Sequence, residues 1–263
     1  LEKLLIIPTY NEKDNVADIL ETVFSLQQNF HVLIIDDRSP DGTAEIVRNL
    51  CNTYEGKLFL EERSGKLGLG TAYIYGFRWA LTRGYKYIFE MDCDFSHNPR
   101  DLDKLYKACK GGGASVAVGS RYVKGGQVKN WPSIRVNLSK GASVYTRLIT
   151  FMPVRDPTAG FVCYRREVLE AINLDQISFV GYAFQIEMKF AAWKLGFSIK
   201  EVPITFIDRK YGVSKMNKGI VKEGILGVLQ LKWMSMFKNY RNRVKNVSDA
   251  NTYQSHKVLV EGK

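Results

Sequence analysis

The feature that most constrains this chain is an alternation. Short, β-branched, uncharged runs at residues 4–7 and 32–35 bracket a segment, 14–26, whose apolar residues fall at Val16, Ile19, Leu20, Val23 and Phe24. The runs have strand length, and the segment between them has the three-to-four spacing of one helix face. The alternation continues with helix at 44–52, strand at 58–60, helix at 69–82, strand at 87–91, helix at 99–110 and strand at 115–119. Strands alternating with helices predict an α/β fold, a mostly parallel sheet with helices on both faces. Beyond Gly119 the regularity fades. A Gly/Lys loop is expected at 124–132, helix at 139–152, a turn at 156–160, strand at 161–164 and helix at 182–195. A last strand is expected at 198–206, where Pro203 favours an edge position. No repeat or linker marks a second domain, so residues 1–240 are expected to form one unit and 241–263 a polar tail.

The sequence is 263 residues long and 45% apolar, enough for a sizeable core. Its cysteines, Cys51, Cys93, Cys109 and Cys163, form no CxxC pair, which argues against structural zinc or a disulfide framework and suits a reducing compartment. The run at 4–7 ends at Pro8 and is strand-sized rather than a leader, and no apolar stretch nears the ~20 residues of a membrane span. The expectation is a soluble or peripheral protein. The net charge of +11 invites anionic partners, and residues 208–245 carry ten Lys/Arg against two acids. Within that basic span Val221, Ile225, Leu229, Trp233 and Phe237 recur every four residues among Lys222, Lys232 and Lys238, as in a helix lying on a membrane surface or packing on a core or subunit. Nucleic acid is not the expected partner: acids cluster where the cleft should be, and no recognised binding module is present.

In parallel sheets ligands bind outside the carboxyl ends of the strands. Three such ends here are polar: Pro8-Thr9-Tyr10-Asn11-Glu12, Asp36-Asp37-Arg38-Ser39, and Asp92-Cys93-Asp94. Asp92 and Asp94, at a strand-to-loop transition, can approach one Mg²⁺ or Mn²⁺, hard cations that take carboxylate and phosphate oxygens; otherwise they are loop residues before the next helix. Asp36 and Asp37 can accept hydrogen bonds from a ribose or a base, or else serve the following helix terminus. The stretch 64–70, Ser-Gly-Lys-Leu-Gly-Leu-Gly, offers backbone N–H groups and one Lys to phosphate but lacks the GK[ST] ending of a P-loop.

Taken in order and spacing, these motifs resemble the inverting family 2 glycosyltransferases of GT-A fold. Further downstream Gly119-Ser120-Arg121-Tyr122, Asn130-Trp131-Pro132, Ser139-Lys140-Gly141-Ala142, Asp156-Pro157 with Gly160-Phe161, and the run from Asp208 to Lys215 are similar to dolichol- or polyprenol-phosphate mannose synthases. The resemblance covers roughly residues 4–240. It implies transfer of mannose from GDP-mannose to a polyprenyl monophosphate. Pro8, Tyr10, Glu12 and Asp37 would hold the nucleoside; Asp92 and Asp94 the metal and diphosphate; Arg121, Arg135 and Ser139 the acceptor phosphate; Arg209 and Lys215 would close over the donor diphosphate. Ser96 stands where relatives carry Gln, and Arg38 where Gly or Asp is common. It further implies the soluble subclass, peripheral on the cytoplasmic face of a membrane, anchored by a small partner subunit or by its own surface. A UDP-sugar donor is the alternative within the same fold.

Overall fold

The computed structural model describes residues 1–181, 183–209 and 218–242, without the side chains of 218–223 and 225. Its elements in chain order are β1 (Lys3–Thr9), α1 (Val16–Phe24), β2 (His31–Asp36), α2 (Thr43–Thr53), β3 (Leu58–Glu62), α3 (Leu69–Thr82) and β4 (Tyr87–Glu90). A 3₁₀ turn (Pro99–Asp101) leads into α4 (Leu102–Lys110), then β5 (Val116–Ser120), β6 (Gln127–Lys129), α5 (Ser133–Thr150), β7 (Val162–Arg165) and α6 (Arg166–Ala171). A second 3₁₀ turn (Leu174–Gln176) is followed by α7 (Ala183–Lys194), β8 (Ile199–Pro203), β9 (Thr205–Ile207) and α8 (Lys218–Met234).

The main sheet has the order β3-β2-β1-β4-β7-β5-β8. β3, β2, β1 and β4 pair in parallel, as do β5 and β8, while β7 runs antiparallel to both its neighbours. Reversal of one strand has a direct consequence for the site. The carboxyl ends of β1, β2, β4 and β5 share one edge of the sheet, and β7 begins at that edge. The segment before β7, with Asp156 and Gly160, is therefore delivered beside the strand-end motifs.

The two-residue period of the strands sorts the core. Leu4, Ile6, Leu33, Ile35 and Ile88 pack on α3 and α7 residues such as Tyr73, Phe77 and Phe190, whereas Leu5, Ile7, Val32, Ile34 and Phe89 pack on α1 and α4. Each such aliphatic side chain, once buried, contributes about 1.5–3 kcal/mol. Helices thus cover both faces, as the alternation requires.

The irregular half departs from the sequence reading. The Gly/Lys loop contains β6, which pairs with β9 in a separate two-stranded ribbon. The strand expected at 198–206 is two strands in two sheets, and Pro203 ends β8 at the edge of the main sheet. α5 starts at Ser133, six residues before the expected position, behind Pro132 with no side-chain cap to mark it. α6 was not expected at all. Among the described residues no helix is long and apolar enough to cross a membrane.

Candidate active site at the carboxyl edge of the sheet

Two loops meet at the ends of β1 and β2. The consecutive amides of Asn11, Glu12 and Lys13 donate to Ser39 Oγ, Thr43 Oγ1 and Asp41 Oδ2 at 3.0, 3.0 and 3.1 Å. Asp36, fully buried, accepts from Thr9 Oγ1 at 2.8 Å and from the Ser39 amide and hydroxyl at 2.7 and 2.6 Å, so its carboxylate holds the loops together. Asp37 is clasped by Arg63 at 2.6 Å, and Arg63 reaches on to Thr71 Oγ1 at 2.7 Å. Pro8 pairs with Ile35 within the sheet, the Lys66 ammonium lies 4.6 Å from the Tyr10 ring centroid, and Glu12 Oε2 accepts from Asn15 Nδ2 at 2.9 Å. Arg63 carries no motif and was missed from sequence. In the stretch 64–70, which offers backbone N–H groups to phosphate, the last glycine is a packing device. The Gly70 amide donates to Val180 O at 2.9 Å, and a Cβ there would meet the Phe184 ring at 2.7 Å.

Past β4 the chain turns so that Cys93 enters the core while Asp92 and Asp94 flank it. Burial pushes the Cys93 thiol well up, leaving it a small apolar filler. Asp92 is the open carboxylate, its side chain 40% exposed; Asp94 is nearly buried, accepts from the Ser96 amide at 3.0 Å, and lies 3.5 Å from the Arg209 guanidinium. The turn is completed by Phe95 in the left-handed region at φ 59°. His97 stacks on Phe161 and approaches Asp92 to 3.8 Å. Burial lowers its pKa to about 4, so the ring is neutral at physiological pH. Two carboxylates on one turn form a hard-oxygen donor set that fits Mg²⁺ or Mn²⁺ with phosphate and water completing the shell.

The cationic side begins at the end of β5. Arg121 donates through Nε and Nη2 to both oxygens of Asp156, at 2.8 and 2.6 Å, and through Nη2 to Thr158 Oγ1 at 2.9 Å. Asp156 is fully buried, and its oxygen also accepts the Arg121 amide at 2.9 Å. Arg135, in the first turn of α5, lies 3.9 Å over the Trp131 ring and 3.2 Å from Asp208, which also accepts from Trp131 Nε1 at 3.2 Å. Phe206 bridges the two halves, with Trp131 at 5.2 Å, His97 at 5.3 Å and Arg121 at 5.4 Å. Ser139, one turn further along α5, accepts from Tyr122 Oη at 2.7 Å. Asp92, Asp94, Arg121, Arg135 and Arg209 therefore meet around Phe206 and His97. Lys215, expected beside Arg209, lies outside the described residues.

Beneath the turn that carries Asp92 and Asp94 is a layer that sequence reading missed. Glu90, Gln185 and Lys189 are buried, with Lys189 Nζ donating to Ala159 O at 2.7 Å and to Gln185 Oε1 at 3.1 Å. Burial raises the Glu90 carboxyl and lowers the Lys189 ammonium, driving both toward neutrality. A Glu at the end of a strand and a Gln, a Glu and a Lys spaced two apart inside a helix were the available signals. A cavity of about 850 Å³, lined by Leu81, Asn173, Phe237 and Arg241 among others, contains none of the motif residues.

Against known proteins, the profile of Glycosyl transferase family 2 matches residues 4–172. The chain belongs to this family. It is 45% identical over 227 residues to a polyprenol monophosphomannose synthase of Mycolicibacterium smegmatis, covering 86% of this chain and 85% of that protein. It is 41% identical over 241 residues to an undecaprenyl-phosphate mannosyltransferase of Micrococcus luteus, covering 92% and 98%. Among solved structures, glucosyl-3-phosphoglycerate synthase of Mycobacterium tuberculosis, in complex with Mn²⁺, UDP and glucosyl-3-phosphoglycerate, superposes with a TM-score of 0.65 at 16% identity, over 88% of this chain and 80% of that one. A mannosyltransferase of Pyrobaculum calidifontis in complex with GDP-Man and Mn²⁺ gives 0.51 at 15%, over 99% and 80%. The enzyme is a glycosyltransferase of GT-A fold, as the motifs implied.

Within this glycosyltransferase the two arginines of the cationic side differ in what they hold. Arg121→Ala strips the counterion from a fully buried carboxylate and is expected to destabilise by about 3–5 kcal/mol. Arg135→Ala breaks a pair whose side chains are 22% and 31% exposed and is expected to cost at most about 1 kcal/mol. Thermal unfolding followed by circular dichroism checks this: a fall in Tm of roughly 10 °C for the first variant against little change for the second. Equal shifts would contradict the geometry.

Proposed function

We propose that the enzyme transfers mannose from GDP-mannose to a polyprenyl monophosphate with inversion, giving polyprenyl-phosphate mannose and GDP. The observation that carries this reading is the similarity to two polyprenyl-phosphate mannosyl enzymes at 45% and 41% identity over most of both chains. Convergence of two carboxylates and three arginines at one sheet edge supports it.

The chemistry follows from charge. The nucleophile is an oxygen of the lipid phosphate, anionic at neutral pH, so no side chain has to take its proton. That oxygen bonds to C1 of the sugar as the bond from C1 to the diphosphate oxygen breaks, and the electron pair leaves with GDP. The task left to the protein is to align two anions that repel each other. Arg135 and the outward side of Arg121 suit the acceptor phosphate, since guanidinium is permanently charged and forms paired hydrogen bonds with phosphate; Ser139 adds a hydroxyl. Pro8, Tyr10, Glu12 and Asp37 bind the nucleoside, and Arg209 with Lys215 binds the diphosphate. Asp92 and Asp94 would hold the divalent cation, which when bound offsets the negative charge developing on the diphosphate.

The acceptor's membrane location fits the surface of the same region. α5 leaves Ile134, Leu138, Val144, Leu148 and Phe151 exposed, with Lys140 and Arg147 along one flank. α8 packs on α5, burying Val228 and Leu231 and exposing Leu226, Leu229 and Trp233, with Phe237 just beyond its end. Lys232 sits 4.8 Å from the Phe151 ring where the two apolar lines meet. The expected role of α8 thus divides between packing and exposure, and α5 joins it; Val221, Lys222 and Ile225 lie outside the described side chains. An apolar strip edged by Lys and Arg is the composition of a surface that rests in the lipid headgroups. The enzyme docks by these two helices rather than drawing the polyprenyl chain out, which costs about 0.8 kcal/mol per exposed CH₂.

Two measurements test the proposal. Incubation with radiolabelled GDP-mannose, UDP-glucose and short polyprenyl phosphates, scoring lipid-extractable label, is expected to show transfer from GDP-mannose that stops in EDTA and returns with Mn²⁺ or Mg²⁺; Asp94→Asn is expected to lose most turnover while remaining folded. Transfer from UDP-glucose instead would replace the donor, and full activity of the variant would remove Asp94 from the site. In flotation, the enzyme is expected to rise with vesicles containing phosphatidylglycerol at low salt and less so near 1 M, where the Debye length is about 3 Å, and Phe151→Ala with Trp233→Ala to weaken the part that resists salt. A chain that stays at the bottom of the low-salt gradient needs a membrane subunit as its anchor.

A further inference from the structure

The Gln185 side chain is buried to within 3% of its surface, yet its Nε2 has no hydrogen-bond partner. Its orientation is set by a neighbour: Lys189 Nζ donates to Gln185 Oε1 at 3.1 Å, so the NH₂ faces the other way. On that side is Gly160. A Cβ built on Gly160 would lie 3.7 Å from Gln185 Nε2 and 3.9 Å from Asp92 Oδ2, so the missing side chain leaves a polar notch. One wall is an amide donor and the other a carboxylate acceptor, and Gly160 itself is partly exposed. The amide also lies near Glu90, whose pKa burial raises and the amide offsets in part, but no hydrogen bond of ordinary geometry joins them, and an NH₂ has two hydrogens to give.

We propose that Gln185, set by Lys189 over the Gly160 notch beside Asp92, donates a hydrogen bond to a hydroxyl of the transferred sugar and so sets which hexose the enzyme accepts. A hydroxyl both donates and accepts, and the notch offers one partner of each kind. Its place next to the open carboxylate of the diphosphate motif puts it where the sugar joins the diphosphate. Lys189 is a positioning residue. This inference rests on the donor being a nucleotide sugar, as proposed above.

Gly160→Ala is the sharper variant. The added methyl makes only ordinary contacts, and Gly160 is not among the glycines held at positive φ, so the fold tolerates it while the notch is filled. With GDP-mannose and its 2-, 3-, 4- and 6-deoxy analogues as donors, wild-type enzyme is expected to use one analogue roughly ten- to a hundredfold less well than the parent. In Gln185→Leu that penalty is expected to vanish while those for the other analogues persist. Gly160→Ala is expected to raise the KM for GDP-mannose about tenfold and to leave GDP affinity, read by calorimetry, unchanged. Lys189→Met, which frees the amide to rotate, is expected to shrink the same single penalty. Unchanged penalties in Gln185→Leu, or equal loss of GDP and GDP-mannose affinity in Gly160→Ala, would overturn the assignment. A wild-type enzyme that binds no GDP would instead overturn the donor reading itself.

Discussion

The rest of the site depends on the ion pair between Arg121 and Asp156. It joins the end of β5 to the segment that enters β7, two stretches 35 residues apart in sequence, and both oxygens of a fully buried carboxylate are committed to it. A buried charge left without its partner costs several kcal/mol, so the two segments are fixed relative to each other. Trp131 and Phe206 then pack around the guanidinium, at 5.7 and 5.4 Å, and through them Arg135, Asp208 and Arg209 gain their places. The cationic wall is built on one neutralised pair rather than on free side chains, which is how several arginines gather without mutual repulsion dispersing them.

The reversed strand is what allows this. In an all-parallel sheet the segment entering a strand lies at the amino edge, away from the motifs. β7 enters from the carboxyl edge, bringing Asp156 to Arg121 and Gly160 to Asp92. The same reversal places Ala159 within reach of the buried Lys189, so the floor of the site and its cationic wall share one topological cause.

The first half of the fold was legible because local signals and global packing agree there. Leu4 and Ile6 alternate with Leu5 and Ile7, α1 and α3 keep helical spacing, and each strand ends in polar sequence. The motif residues Asp37, Asp92, Asp94, Arg121, Arg135 and Arg209 could be singled out because family resemblance marks them. The contacts they make could not. Nothing local says that Asp37 is held by Arg63, or that Asp156 is the partner of Arg121, because those pairings are set by strand order. The start of α5 was hidden by the absence of a capping side chain, and its apolar residues are exposed, so they carry no core periodicity to read. Glu90, Gln185 and Lys189 carry only a weak signal as polar residues within a strand and a helix, and it is their burial that distinguishes them.

The central claim is that the cations at the ends of β5 and α5 serve the acceptor phosphate while the carboxylate edge serves the donor. Calorimetry on Arg135→Ala tests it most directly, with GDP-mannose and a short polyprenyl phosphate titrated separately in the presence of Mn²⁺. Loss of a charge-assisted hydrogen bond to phosphate is worth about 1.5–3 kcal/mol, so acceptor affinity is expected to fall at least about tenfold, with donor affinity within twofold of wild type. Equal losses for the two ligands, or a loss confined to GDP-mannose, would move Arg135 to the donor side and contradict the division of the site.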